Sequence, residues 1–585
     1  MTHAKGAAGK GRRMDGGRAY LRWLPGLQTL LTYERGWLRH DLVAGLALSA
    51  FLVPVGMGYA EASGLPAIYG LYATIVPLTV YGLLGPSRIL VLGPDSALAP
   101  LIAATILPLS HGNPSRALAL AGMLAILTGA FLVLIGVIRF GYVTDLLSLP
   151  IRYGYLNGIA LAVIVSQLPK VFGFSVDAEG SLQQLVAFAE GVGSGEVVLP
   201  ALLVGSGTIV LVILLRWLAP GVPGVLVAVA FSMAAVAVFG LADEIAVVGS
   251  LPRGLPSFEL PLVETSDLSS LSVAAIGIAL VAFADTSVLS RTFASRLGRD
   301  VDPNHEVIAL GLANAATGVF QGFPISSSAS RTPVAESAGA RTQLTGLVGA
   351  AVIALLLVAA PSLFADLPEA ALGGIVIVAA TSLIEIRGVI KLARVRSPEF
   401  WLSIVCFLGV AVLGVIPGVF LSIALALGQF VHRAWRPHDA VLARSPGLKG
   451  YHDVTRHPEG REIPGLVLYR WDAPLFFANA ARFRDRAMHF VRHADPRARW
   501  IVVAAEPITD VDATAAPALK ELLDELDAND VVFAFAELKG PVWDQLRQYG
   551  LAQRIGEDHR FPTIGTAVKA YVQRTGTHWV DPVPD

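Results

Sequence analysis

Four stretches of this chain, residues 117–138, 201–215, 222–240 and 344–360, contain no charged side chain. Roughly 20 apolar residues in helical form cross about 30 Å of hydrocarbon. Runs of this length and purity are therefore membrane helices, and they exclude a water-soluble fold for most of the chain. The composition agrees: 15% of residues are charged, against about a quarter in soluble domains. The single cysteine, Cys406, lies in a similar apolar run and rules out a disulfide framework or a cysteine-built metal site.

Gly/Pro and charged breaks divide the apolar part into fourteen segments. They begin near Leu42, Ile68, Asp95, Ala117, Asp145, Ala201, Val222, Leu271, Val307, Ser328, Leu344, Glu369, Trp401 and Val415. The first 40 residues carry eight Lys/Arg against two acids and hold no signal-peptide apolar core, which predicts a cytoplasmic N-terminus. Every even-numbered segment then ends inside, and those ends carry Arg88, Arg139, Arg216, Arg291, Arg296, Arg299, Arg341, Arg387, Lys391, Arg394 and Arg396. Of the two long outer loops, residues 171–198 have no Lys or Arg and residues 241–270 have one. The basic residues thus fall on one side, as positive-inside topology requires.

After residue 436 the chain becomes charged and mixes strand-like runs (466–469, 500–505, 531–538) with helical ones (479–493, 513–526). That alternation predicts a small α/β domain, cytoplasmic because the number of crossings is even. The expected organisation is a basic N-terminal segment (1–40), a transmembrane domain (41–436, with repeats 41–240 and 270–436) and an α/β domain (438–575).

Two segments are short and interrupted. Residues 88–97 run from an extended apolar stretch through Gly93-Pro94 into Asp95-Ser96-Ala97, and residues 322–331 run through Phe323-Pro324 into a serine cluster ending at Arg331. They are segments three and ten, the same place in two sets of seven. Because seven is odd, the sets are inverted. Matched broken segments point to a transporter's midplane site. The free N–H groups and positive dipole end of each half-helix would cradle an anion, with Ser326, Ser327, Ser328 and Ser330 adding hydroxyls and Arg331 a fixed charge. Two plainer readings stay open: Asp95 or Ser96 as an ordinary N-cap, and Arg331 snorkelling to the inner surface.

Asp285 follows a long uncharged run in segment eight. A carboxylate at membrane depth must be paired, protonated or ion-bound. It is expected to carry a proton, or with Thr286 to hold sodium; a salt bridge to Arg331 that only locks the bundle is the alternative.

Taken together, Asp41…Ala44-Gly45, Val53-Pro54…Tyr59-Ala60, Gly64-Leu65-Pro66, Gly93-Pro94-Asp95-Ser96-Ala97, Arg291-Thr292-Phe293-Ala294, Ser326–Ser328, Ser330-Arg331-Thr332 and Gly339-Ala340-Arg341-Thr342 make a specific pattern. The chain resembles the sulfate permease (SulP) anion transporters, whose fold is like that of the bacterial uracil transporter. The resemblance implies a 7+7 inverted repeat and a core domain moving elevator-like against a gate domain. It implies anion-binding positions at Tyr59, Asp95, Ser96, Ala97, Ser328, Ala329, Ser330 and Arg331, with Asp285 and Thr286 at the coupling-ion site. Val55 stands where members usually carry Gln or Glu after the proline. The C-terminal part resembles a STAS domain, with Thr514 near a phosphoacceptor position and Asp512 or Thr514 as the plainer helix cap.

The expected function is secondary active transport of sulfate or a similar oxyanion with a proton, in the plasma (inner) membrane, by a homodimer whose STAS domain meets a cytoplasmic partner. Bicarbonate or dicarboxylate cargo, sodium coupling, a passive channel and a sensor are the rivals. No Walker A run, His-Glu-x-x-His or nucleophile elbow occurs. An enzyme, a cofactor and a nucleic-acid partner are therefore not expected.

Overall fold

The structure is a computed structural model that describes residues 24–140, 148–176, 178, 180–219, 222–296, 300–328 and 331–581. Its packing separates two compact units, Met1–Ala426 and Leu427–Asp585.

The first unit holds the fourteen anticipated segments. They are α1 (Leu38–Ala62), α2 (Ala67–Leu84), α3 (Ala99–Ser110), α4 (Pro114–Val137), α5 (Leu149–Phe172), α6 (Leu199–Leu218), α7 (Gly224–Phe239), α8 (Asp267–Arg296), α9 (Pro303–Val319), α10 (Arg331–Ser337), α11 (Leu344–Ala359), α12 (Glu369–Ala380), α13 (Ser397–Leu413) and α14 (Val415–Trp435), the last running across the division between the units. Local chemistry sets several starts. Pro114 and Pro303 occupy first-turn positions, while Asn113 and Asp302 accept the free N–H groups beside them.

The helices sort into two bundles. The first four of each seven, α1–α4 and α8–α11, pack chiefly on one another; so do the last three, α5–α7 and α12–α14. Glycines allow the closest approaches. A Cβ on Gly129 of α4 would lie 2.5 Å from the Gly311 carbonyl of α9, and one on Gly318 would lie 2.4 Å from the Gly122 carbonyl. Asp41, fully buried in α1, ties the first bundle's ends together. It accepts from Tyr33 Oη, the Arg341 and Thr342 amides, Thr342 Oγ1 and Thr345 Oγ1, at 2.6–3.1 Å, and so caps the approach to α11.

The broken segments differ in detail from the expectation. Before α3 and α10 the chain forms two two-residue strands, β1 (Leu92–Gly93) and β2 (Ser326–Ser327), paired antiparallel with Leu92 opposite Ser327. The half-helix expected near Asp95 becomes α-helical only at Ala99, because the turn from Asp95 to Leu98 is bonded first through the Asp95 carbonyl. The expected start of segment five near Asp145 lies outside the described residues. Two connecting helices went unread: Ser181–Ser194 between α5 and α6, and Ile386–Val395 between α12 and α13. They occupy corresponding places in the two sevens, so they too follow the inverted repeat.

The second unit carries a six-stranded sheet in the order β4-β3-β5-β6-β7-β8, with β3 Asp439–Ala443, β4 His452–Asp453, β5 Leu466–Trp471, β6 Trp500–Ala504, β7 Val532–Ala536 and β8 Arg560–Phe561. Strands β5 to β8 are parallel, with β3 and β4 antiparallel at one edge. The helices α15 (Ala480–Arg492), α16 (Ala515–Ala528), α17 (Gly540–Gln548) and α18 (Ile564–Thr575) complete it. Two apolar clusters form, one built around Tyr469, Trp471 and Trp543, the other around Trp500 and Tyr571. Parallel strands buried on both faces read as continuous apolar runs, which is why β5–β7 were visible in the sequence and the short, polar β4 and β8 were not.

Candidate functional site

The candidate site is the crossing of β1 and β2, where both broken segments end in a helix start. The crossing is held by side chains. Asn314 of α9 accepts from the Ile325 amide at 2.8 Å and donates to the Ile325 carbonyl at 3.0 Å. The Val91 amide donates to Thr332 Oγ1 at 3.2 Å, and the Ser327 amide to Thr286 Oγ1 at 3.4 Å. Thr286 therefore braces β2 from α8.

Arg331 is 1% exposed, which removes the snorkelling reading. Its guanidinium turns inward, donating from Nη1 to the Pro94 carbonyl and from Nη2 to the Gly93 and Ser326 carbonyls at 3.1 and 3.2 Å. Its carboxylate partner is Asp95, at 3.6 Å. A Cβ at Gly93 would stand 2.9 Å from Arg331 Nη1, so any side chain there would push the guanidinium from its carbonyls. Asp95 in turn accepts from the Ala97 amide at 3.0 Å, so the capping reading describes part of its role. Ser328 is buried and its hydroxyl engages Asp95. Ser96 and Ala97 are buried beside them. Ala329 and Ser330 lie outside the described residues.

Asp285 does not pair with Arg331. Its Oδ1 meets Arg152 Nη2 of α5 at 3.3 Å, an ion pair that reaches from one bundle to the other. The locking bridge weighed from the sequence is thus replaced by two separate pairs, Arg331–Asp95 within the first bundle and Arg152–Asp285 across the divide. Tyr155, one turn beyond Arg152, faces the same two charges. Arg152 and Tyr155 were missed. The signal was a charge only a few residues inside an apolar helix, which from the sequence reads as a segment end.

Several buried polar atoms around the crossing make no hydrogen bond among the described residues: Tyr59 Oη, Tyr155 Oη, Ser327 Oγ and Arg331 Nε. Tyr59 is 1% exposed and lies among Asp95, Ser96 and Arg331. A buried unsatisfied donor costs about 1–3 kcal/mol, so a cluster of donors marks a place that a polar ligand or water completes. The charges sum to zero: Arg331 and Arg152 against Asp95 and Asp285. In the second unit, the helix cap is Asp512, whose Oδ1 accepts from the Thr514 and Ala515 amides at 2.9 and 2.6 Å. Thr514 itself is exposed.

A model of the sulfate permease family matches residues 38–406. The chain belongs to that family. A STAS-domain model matches residues 457–567. Sulfate permeases are membrane transporters, so this chain is a multi-pass membrane anion transporter and not an enzyme. A Mycobacterium tuberculosis protein named probable sulfate transporter is 41% identical over 553 residues, covering 94% of this chain and 98% of that protein. Sulfate transporter 4.1, chloroplastic, of Arabidopsis thaliana is 29% identical over 92% of this chain and 80% of its own length. The murine solute carrier 26 family member A9 anion transporter, solved in an inward-facing state, superposes with a TM-score of 0.86 at 23% identity over 97% of each chain. The transmembrane domain of the cyanobacterial bicarbonate transporter BicA gives 0.58 at 21% identity, covering 68% of this chain and 99% of that one. The shared fold is the 7+7 membrane unit followed, in the first of these structures, by the C-terminal α/β domain.

Proposed function

We propose that this sulfate permease is a secondary active transporter that carries sulfate together with a proton, by elevator-type displacement of the bundle holding β1, β2, α3 and α10 against the other. One observation carries the reading: a buried cradle of unpaired donors in which two arginines are balanced by two carboxylates. An anion entering a balanced, water-poor site adds uncompensated charge, which is costly at low dielectric. Neutralising one carboxylate removes that cost. Asp285 is the group for this role, because Asp95 is held by Arg331 and the Ala97 amide, whereas Asp285 has a single partly exposed partner. Tyr59, Ser96, Ala97 and Ser328 line the anion's side of the crossing, and Thr286 supports it from behind.

Sulfate is preferred as cargo because relatives that match over 98% and 80% of their own length carry that name. The N-terminus and the STAS domain are assigned to the cytoplasmic side from the distribution of Lys and Arg, and the membrane is proposed to be the plasma membrane. The chain is proposed to work as a homodimer, with Thr514 an exposed regulatory acceptor for a cytoplasmic partner. The test is uptake of radiolabelled sulfate into proteoliposomes under an imposed proton or sodium gradient, with bicarbonate and dicarboxylates as competitors. Concentrative uptake driven by the proton gradient and competed weakly by the other anions is expected. Uptake that only equilibrates defeats the coupled reading in favour of a channel, and stimulation by sodium alone moves the coupling to that ion.

A further inference from the structure

Among the described residues, both ion pairs that tie the bundles together hang from one helix. Arg152 near one end of α5 reaches Asp285 of α8 at 3.3 Å, and Lys170 near the other end reaches Glu61 of α1 at 3.4 Å. The two cations are 18 residues apart. At 3.6 residues per turn that is five whole turns, so they share one face of α5, about 27 Å apart. Between them the same face carries Tyr155, Ile159, Val163 and Ser166 at helical spacing. Ile159 and Val163 are fully buried, and Ser166 returns its hydroxyl to the Val163 carbonyl. The face that α1 and α3 touch is therefore an apolar strip with an ionic contact at each end. The acids sit on α1 and α8, the first helices of the two inverted sevens.

The geometry points to Arg152 and Lys170 as positioning residues that hold the moving bundle at one setting along α5. This rests on the proposed elevator motion and adds to it the elements that define a stopping point. An ion pair is lost beyond about 4 Å, whereas a slide of one helical turn is about 5.4 Å, so a single-turn displacement parts both contacts. Of the polar groups on the strip, Ser166 is bonded within α5 and the Tyr155 hydroxyl is unpaired among the described residues. The two contacts are unequal. One uses Asp285, the carboxylate assigned to the coupling ion, so loading that group releases Arg152 and leaves the Lys170–Glu61 pair, beside Glu369 of α12, as the remaining tie. Release from this setting thus takes two separate events at opposite ends of α5.

The experiment reads position directly and needs no transported anion. Full-length protein with Cys406→Ser, His111→Cys and Glu190→Cys is spin-labelled in lipid nanodiscs, and the distance distribution between the first-bundle loop and the α5–α6 connection is measured by pulsed electron paramagnetic resonance. Lys170→Gln and Glu61→Gln are each expected to shift the ratio of the two settings about two- to fivefold, and the double neutral variant no further than either alone. Lys170→Arg and the charge exchange Glu61→Lys with Lys170→Glu are expected to return the distribution to that of the parent. Unchanged distributions in both neutral variants overturn the proposal. So does a charge exchange that shifts the ratio as far as the single changes, because the contact is then steric rather than ionic. Since these distances are read without sulfate or a gradient, a protein that moves no sulfate can still show the shift, and the two readings fail separately.

Discussion

Replacing Arg331 with lysine separates two jobs that the residue combines. Lysine keeps the positive charge but presents it as a single point on a flexible stem, whereas the guanidinium forks. In the structure that fork serves three carbonyls, those of Pro94, Gly93 and Ser326, while standing 3.6 Å from Asp95. An ammonium in the same space satisfies one of the three. Two buried carbonyls left unpaired cost about 1–3 kcal/mol each, so Arg331→Lys is expected to destabilise the membrane unit by about 2–6 kcal/mol. In thermal unfolding of the purified protein in detergent, followed by tryptophan fluorescence, this corresponds to a fall in Tm of about 2–7 °C. Sulfate affinity falls with it, because β1 and β2 no longer hold the half-helix ends in register. Arg152→Lys is the control: its partner is a single carboxylate and its side chain is partly exposed, so its Tm should change by less than half as much. If Arg331→Lys keeps both the parent Tm and the parent affinity, the account of Arg331 as the clamp of the crossing is wrong and the residue acts through charge alone.

Tyr59→Phe removes a hydroxyl that has no partner, so stability should hold or rise slightly while sulfate affinity drops about 10- to 100-fold, the worth of one hydrogen bond to a charged group; equilibrium dialysis with unchanged affinity excludes Tyr59 from the cradle. Asp41→Ala strips the acceptor from five donors at the α1–α11 junction and should cost at least about 3 kcal/mol, seen as loss of the monodisperse peak in size-exclusion chromatography; a well-folded variant contradicts that role. Deleting residues 438–585 should leave sulfate uptake measurable in proteoliposomes, because the cradle is built wholly from α1, α3, α5, α8, α10 and the β1–β2 crossing; complete loss in a folded truncation assigns the STAS domain a part in transport itself.

What the sequence disclosed and what it hid follow from the range of the interactions. The membrane helices were legible because hydrocarbon forbids charge over a whole helix length, and the two broken segments because Gly93-Pro94 and Phe323-Pro324 are local signals. The helix starts were less legible: the Asp95 carbonyl closes a turn first, with its side chain on the Ala97 amide, and α3 begins only at Ala99. Pairing was not legible at all. In the sequence Asp95 and Asp285 are both aspartates within apolar segments, and only the antiparallel register of β1 with β2 brings Arg331 to Asp95. Arg152 was hidden for the same reason, since its place near the start of α5 says nothing of which helix faces it. The connecting helix Ile386–Val395 contributed its cations to the topology but escaped as a helix, because it is short, amphipathic and has no buried residue.

The balance of charge in the cradle is the centre of the account, and proton uptake on binding tests it most directly. Titration calorimetry of sulfate into the purified protein, repeated in buffers of different ionisation enthalpy, counts the protons taken up per anion bound. The expected result is net proton uptake of up to one per sulfate in the parent, at a pH where Asp285 is ionised without the anion and protonated with it, and none in Asp285→Asn. Sulfate that binds the parent tightly with no proton uptake, in the absence of sodium, contradicts the claim that neutralising Asp285 admits the anion.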